Sequence, residues 1–176
     1  MSMKDLKSLI RTVPDFPKKG IGFKDITTLV KDAEGFRQAV QQMFEPFKND
    51  NVQKIAGIES RGFILGGAMA YEQHLPFVPF RKPRKLPAAT VSESYELEYG
   101  TDSIEMHVDA ISKGERVLVV DDLLATGGTA AAACKLVEKL GGIVVGVSFL
   151  IELSFLPGRR KLDGHKLSVL IDFDSE

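Results

Sequence analysis

Cysteine is almost missing from this chain: Cys134 is the single one in 176 residues. That excludes an internal disulfide and any cysteine cluster for zinc. Histidine is sparse as well, and His74, His107 and His165 fall in no metal-binding or triad spacing. No apolar run approaches the roughly 20 residues that span a bilayer, and the segment from Met1 to Ile10 has no signal-peptide core. A cytoplasmic protein that makes no use of a membrane is the expectation. An excess of either charge is missing too. Lys and Arg number 23 against 24 Asp and Glu, a formal net charge of −1, so nothing pulls the whole molecule toward nucleic acid or anionic lipid. Internal repeats, low-complexity tracts and linkers are absent. What remains is ordinary, at 44% hydrophobic and 27% charged. The length suits one domain, residues 1–176, with a sizeable core.

Hydrophobic periodicity supplies the elements. Residues 3 to about 11 read as a short amphipathic helix stopped before Pro14. Residues 33 to 48 form a longer one, with Phe36, Val40, Met43, Phe44 and Phe47 on one stripe and Asp32 as N-cap. Lys54 to Ile58 is a short strand, and an apolar helix runs from Phe63 to about Gln73. Pro76 to Phe80 is a strand bounded by prolines. From Ser92 to His107 the pattern alternates, as in a two-stranded ribbon. Residues 129 to 140 form a helix ending at Gly141-Gly142, with Cys134 as a small packing residue inside it. Ile143 to Ile151 and Leu167 to Phe173 are further strands. Strands alternating with helices predict an α/β fold whose central sheet is mainly parallel and flanked by helices. The functional site then belongs at the carboxyl ends of the strands.

The densest information lies in Val117-Leu118-Val119-Val120-Asp121-Asp122-Leu123-Leu124-Ala125-Thr126-Gly127-Gly128-Thr129. Four apolar residues suit a strand buried on both faces. The spacing places Asp121 and Asp122 where that strand ends, before a small-residue loop and a helix. Such a loop and helix N-terminus present backbone N–H groups and a positive dipole end to a phosphate. Thr126 and Thr129 add hydroxyl donors, and the glycines let the backbone approach closely. The two aspartates are acceptors for sugar hydroxyls or for waters around magnesium. On spacing alone a solvated acidic turn has the same wording, and many nucleotide folds share this order of parts.

Three other stretches carry chemistry-bearing residues. Glu59-Ser60-Arg61-Gly62 follows a strand and precedes a helix, but Phe63 stands where a P-loop needs lysine. By itself it reads equally as a surface ion pair. Arg81-Lys82-Pro83-Arg84-Lys85 holds four cations in five residues. Without interleaved aromatics or an overall basic chain, it reads as a solvated loop rather than a nucleic-acid patch. The ribbon carries Glu93, Glu96, Glu98, Asp102 and Glu105 with no Lys or Arg, a composition usual for solvated surface. Pro14-Asp15-Phe16-Pro17 and Gly20-Ile21-Gly22-Phe23-Lys24-Asp25-Ile26 form an irregular arm. Gly20 and Gly22 are not a dinucleotide fingerprint, since no strand precedes them and a third glycine is missing.

The wording of residues 117–129 closely resembles the signature of the type I phosphoribosyltransferases, which bind phosphoribosyl pyrophosphate (PRPP). The Asp-Asp-Leu-Leu-Ala-Thr-Gly-Gly-Thr version, with Ser94-Tyr95-Glu96-Leu97-Glu98-Tyr99-Gly100, is similar to the adenine-specific branch. The resemblance covers nearly the whole chain. It implies transfer of phosphoribosyl from PRPP to adenine, giving AMP and pyrophosphate in purine salvage. It implies PRPP and AMP contacts from Asp121, Asp122, Ala125, Thr126, Gly127, Gly128 and Thr129. Arg61, Arg81, Lys82 and Lys85 would meet the diphosphate. Glu59 and Ser60 would form a pyrophosphate loop with a cis peptide between them; Glu59 stands where aspartate is more familiar. Residues 1 to about 30 would be a hood over the purine, with Phe23 stacking and Gly22 and Lys24 reading the base edge through main chain. Lys24 replaces the arginine usual there. Leu156 would pack on the purine's other face, though by pattern it suits a core leucine as well. Glu98 would handle the purine proton, and Tyr99 would close over the site from a loop and ribbon spanning about 81–107. Magnesium would be held mainly through PRPP and water near Asp121 and Asp122, with no direct protein ligand, and the family is typically homodimeric. Two rivals are a PRPP- or purine-binding regulator without turnover and a transferase for another purine such as xanthine. The first usually carries an extra DNA-binding domain, for which the chain leaves no room; the wording at Leu97 to Gly100 disfavours the second.

Overall fold

The computed structural model describes residues 4–96 and 100–175. Its strands are β1 (Arg11–Val13), β2 (Phe23–Asp25), β3 (Lys54–Ile58), β4 (Phe77–Phe80), β5 (Thr90–Glu96), β6 (Thr101–His107), β7 (Arg116–Leu124), β8 (Ile143–Leu153) and β9 (Leu167–Phe173). Its α-helices are α1 (Thr27–Val30), α2 (Ala33–Phe44), α3 (Arg61–Glu72) and α4 (Gly128–Lys139). Five strands form one parallel sheet in the order β4-β3-β7-β8-β9. The mainly parallel sheet flanked by helices is therefore what forms. β5 and β6 make an antiparallel ribbon, and β1 pairs with β2 at the N-terminal arm.

The central strand shows why four consecutive apolar residues were needed. Side chains alternate across a strand. Val117 and Val119 enter one core with Ala56, Ile58, Val147 and Phe149, under α4 and the ribbon. Leu118 and Val120 enter the other with Ile55, Leu65, Met69 and Ile151, under α2, α3 and the N-terminal segment. Each fully buried large side chain, such as Phe47, Phe80 or Phe149, contributes roughly 1.5–3 kcal/mol. Cys134 is buried in the α4 core, and burial pushes its thiol up to about 12. It is an inert packing residue, as its helical position predicted.

Three elements differ from the sequence reading by more than two residues at an end. The helix expected from 3 to about 11 is only a 3-10 turn at Lys7–Leu9. Leu6 and Ile10 bury their side chains, but the chain then extends so that Arg11–Val13 pairs with Phe23–Asp25; tertiary pairing overrides local pattern. The helix expected to reach 48 ends at Phe44 and tightens into a 3-10 turn, Glu45–Phe47, because Pro46 lacks the N–H that an α-helix would use. Asp32 does cap it, accepting from the Gly35 N–H at 2.8 Å. The central strand does not stop before the acidic pair. It continues to Leu124 because β8 is long enough to pair with it there, Asp121 opposite Phe149 and Leu124 opposite Glu152. The two aspartates thus point from a rigid strand rather than from a loop.

Candidate active site

β3 and β7 run side by side, and the loop after β3 packs against β7 at Val120, Asp121 and Asp122. The Glu59–Ser60 peptide is cis, and α3 starts at once with Arg61. Gly62 sits against the end of β7. A Cβ there would lie 2.9 Å from both the Val120 carbonyl and Asp121 Oδ1, so this contact needs glycine. One residue earlier, Arg61 Nε donates to Asp122 Oδ2 at 2.5 Å. The same guanidinium stands 5.1 Å from the centre of the Phe23 ring, and Phe16 packs edge-on against Phe23. The N-terminal arm, the cis loop after β3 and the acidic strand are therefore joined through Phe23, Arg61 and Asp122.

The acidic pair is not symmetrical. Asp122 is buried, and its charge is met by Arg61. Burial, reinforced by the neighbouring Asp122, pushes the Asp121 carboxyl well above the usual carboxylate range. Asp121 Oδ1 accepts from the Asp122 N–H at 2.9 Å. Beyond Leu124 the chain bends through Ala125 to Gly127, whose φ of 74° caps α4 in the left-handed region that glycine adopts freely. The first turn of α4 has backbone N–H groups without partners four residues back. Asp121, Ala125, Thr126, Gly127, Gly128 and Thr129 line a hollow of about 90 Å³ at this point. A wider cleft, about 540 Å³, runs between the ribbon and α4 and meets this loop only at Gly128.

The basic segment faces the cis loop. Arg81 binds Glu59 through two nitrogens, at 3.2 and 3.1 Å, and the Lys82 N–H donates to Glu59 Oε2 at 2.8 Å. The Arg81 hydrogen bond holds the Glu59 carboxyl below its usual range. Lys82 Nζ forms an ion pair with Asp102 and also donates to Tyr95 Oη at 3.1 Å. Lys85 is exposed, and its carbonyl accepts from Arg81. The surface pair that spacing allowed between Glu59 and Arg61 does not form; each takes a distant partner instead.

On the hood, Lys24 is buried. Its ammonium contacts Thr12 Oγ1 at 3.3 Å and lies 4.5 Å from the Phe173 ring centre. Its side chain is directed into the protein, which leaves only its main chain for a base. Leu156 lines a cleft with Phe155 and Pro157. Glu98 and Tyr99, with Leu97, lie outside the described residues.

Four contributors escaped the sequence reading. Gly158 packs on the loop before α4 so closely that a Cβ there would sit 2.2 Å from the Ala125 carbonyl; Pro157-Gly158 was the available turn signal. Buried Glu152 takes Arg159 in a bidentate pair at 2.7 and 2.6 Å, bracketing Leu156. Lys161 Nζ stands 3.7 Å from the Cβ position of Gly128. Asp102 was read only as one of several ribbon acids, and no local signal names its partner. Among the described residues no group of three or more His, Cys, Asp or Glu side chains could hold a metal ion.

Comparison with known proteins agrees with this architecture. Residues 25–169 match the family described as the phosphoribosyl transferase domain. An adenine phosphoribosyltransferase of Solibacter usitatus is 57% identical over 172 residues, covering 98% of this chain and 99% of the relative. The crystal structure of the Thermoanaerobacter pseudethanolicus adenine phosphoribosyltransferase, 54% identical, superposes with a TM-score of 0.94 over 96% of this chain and 98% of that one. The Saccharomyces cerevisiae enzyme, crystallised with an imino-altritol bisphosphate and adenine, is 38% identical with a TM-score of 0.89, over 94% and 96% of the two chains. The chain belongs to the phosphoribosyl transferase family, and within it to the adenine phosphoribosyltransferases.

Proposed function

We propose that this protein transfers the 5-phosphoribosyl group of PRPP to adenine, forming AMP and pyrophosphate in purine salvage. The observation that carries the reading is the convergence of Phe23, Arg61 and Asp122 beside the phosphate loop. An aromatic face, a cation and a carboxylate in mutual contact support the reading of base, diphosphate and ribose contacts close together. A ring nitrogen of adenine attacks C1 of the ribose, the bond from C1 to the pyrophosphate oxygen breaks, and the base gives up a proton. Glu98 is our candidate to take it, with Tyr99 covering the site. Thr126, Thr129 and the backbone of Ala125 to Gly128 hold the 5-phosphate. Asp121 and Asp122 accept from the ribose hydroxyls. Arg61, Arg81, Lys82 and Lys85, set around Glu59 and Ser60, stabilise charge on the leaving diphosphate. Holding the base below C1 supplies the rest by orientation.

Adenine is chosen on its edge. It presents an amino donor beside a ring-nitrogen acceptor, and hypoxanthine and guanine reverse that order. Main-chain groups of Gly22 and Lys24 read it, with Phe23 on one face and Leu156 on the other. The inward direction of the Lys24 side chain supports a main-chain role. Magnesium accompanies PRPP. With Asp122 paired to Arg61 and no group of three or more His, Cys, Asp or Glu side chains gathered among the described residues, the donor set suits a cation bound by PRPP and water better than one ligated directly. When bound, it neutralises diphosphate charge. We further propose that residues 1–176 act as one domain in a cytoplasmic homodimer. No helix among the described residues is long and apolar enough to cross a membrane.

Pyrophosphate release with PRPP, magnesium and each purine in turn tests this. Release with adenine alone is expected. Release with xanthine or another purine would overturn the base assignment, and tight PRPP binding without release would make the protein a sensor.

A further inference from the structure

The ribbon and the basic segment are joined at one point. Lys82 Nζ is held by two ribbon groups, the Asp102 carboxylate and the Tyr95 hydroxyl. Those two also bond each other, Tyr95 Oη donating to Asp102 Oδ2 at 3.1 Å. They are direct partners across the ribbon, Tyr95 on β5 and Asp102 on β6. The other Asp102 oxygen accepts from the Ser103 N–H at 2.8 Å, so the carboxylate is fixed from both sides. Lys82 is fixed at its other end, because its own N–H is bound to Glu59 in the cis loop. Its neighbour Arg81 exchanges two backbone hydrogen bonds with Glu105 of β6. The Tyr95 ring reaches further still. Its Cδ2 lies 3.2 Å from the Cβ position of Gly128, at the start of α4. One small cluster thus touches the diphosphate loop, the phosphate loop and the ribbon.

An ammonium group has three donors, and its best acceptors are anions. A diphosphate carries more charge than one carboxylate and wins Lys82 when it arrives. Until then the ammonium belongs to Asp102. We propose that Asp102, seconded by Tyr95, is a positioning residue: it competes with the diphosphate for Lys82 and so couples the ribbon to binding and release of the leaving group. The inference rests on the reading of Lys82 as a diphosphate ligand. Asp102 touches no reacting atom; it sets how readily Lys82 gives up and retakes its anion. The pair is partly exposed, Lys82 43% and Asp102 29%, so the competition is a tuning effect rather than a lock.

The test is calorimetric titration of the full chain with PRPP and magnesium, no purine present, beside steady-state kinetics. Asp102→Asn removes the anion and loosens Lys82, so PRPP affinity rises about twofold to fivefold. KM for PRPP falls, and inhibition by added pyrophosphate strengthens. Asp102→Glu restores the acceptor and returns the values toward those of the parent. Lys82→Met weakens PRPP binding, and adding Asp102→Asn to it changes nothing further. Tyr95→Phe, which removes one acceptor and keeps the ring on Gly128, gives a smaller shift of the same sign and stands in if Asp102→Asn does not fold. Unchanged or weaker PRPP binding in Asp102→Asn, with Lys82→Met impaired, overturns the competition alone. An unimpaired Lys82→Met overturns the reading of Lys82 and the competition together. Neither result touches adenine-dependent pyrophosphate release by the parent chain, which tests the reaction itself.

Discussion

At the scale of single residues, charges in this region are answered by partners, three of the four far away in sequence and one, Arg159 with Glu152, seven residues apart. Arg61 meets Asp122, Arg81 meets Glu59, Lys82 meets Asp102 and Arg159 meets Glu152. The benefit of such pairs is order more than stability, since a buried carboxylate such as Glu152 loses most of the pairing energy to desolvation. Arg159 fixes Glu152 at the end of β8 and so defines the turn that presents Leu156. On the proposed assignment, a diphosphate would exchange partners with cations already aimed, rather than order free side chains. The proposed proton acceptor has a different task, because it must act only as the base reacts. Glu98→Gln keeps the shape and removes the basicity. We expect turnover to fall by about 10²–10⁴-fold, with PRPP affinity nearly unchanged by calorimetry. A variant as active as the parent would remove Glu98 from the chemistry.

At the scale of elements, much was written plainly and some was not. The β7 run from Val117 to Val120 was legible because both faces of one strand are buried, which leaves no polar position. Helix α2 was legible from its stripe and its Asp32 cap. The continuation of β7 through Asp121 and Asp122 was not, because acids before glycines read as a loop. Only the length of β8, far along the chain, supplies the pairing. The strand β1 was hidden in the same way behind an amphipathic pattern. The ion pairs join residues 20 to 61 positions apart, and no local pattern reports such a partner. The small-residue loop between β7 and α4 was legible, but not its support. The Ala125 carbonyl rests on Gly158, and Gly127 rests there too, with a Cβ position 2.3 Å from the Gly158 carbonyl. Gly158→Ala must push the loop away. A shift of about 1 Å at a substrate-positioning group can cost on the order of 10²-fold. We expect kcat/KM for PRPP to fall by about tenfold to a hundredfold, with a cooperative melt retained. Parent-like kinetics would mean that the 3-10 turn at Gly158–Leu162 yields instead.

At the scale of the whole molecule, the balance of ionised pairs sets how the fold responds to acid. Four carboxyls are held below their ordinary values by hydrogen bonds from basic side chains: Asp25 by Arg11, down to about 2, Asp32 by Lys4, Glu59 by Arg81 and Asp102 by Lys82. Each joins separate segments. Lys4 ties the N-terminal segment to the cap of α2, Arg11 ties β1 to β2, and the last two tie the basic segment to the cis loop and the ribbon. A carboxyl lowered by folding stabilises the protein at pH above its unfolded value. That contribution fades as pH falls through the folded one. Asp121 has the opposite sign. Burial raises it, so its contribution favours the fold below the ordinary carboxylate value and is lost as pH rises through the raised one. With Glu115, lowered by the Ser112 N–H and by Lys54, five lowered carboxyls oppose one raised one, and four of them hold the N-terminal arm, the basic segment and the ribbon in place. We therefore expect the melting temperature to fall as pH drops from about 5 to about 3. Salt screens partly exposed pairs most, so raising ionic strength should flatten that slope. Scanning calorimetry at stepped pH, in low and high salt, reads both effects. A melting temperature that climbed on acidification would mean that neutralising Asp121, raised by burial and by Asp122, outweighs all the lowered carboxyls. The acidic strand end would then be the principal strain in the fold, relieved by protonation and by any cation that PRPP carries in.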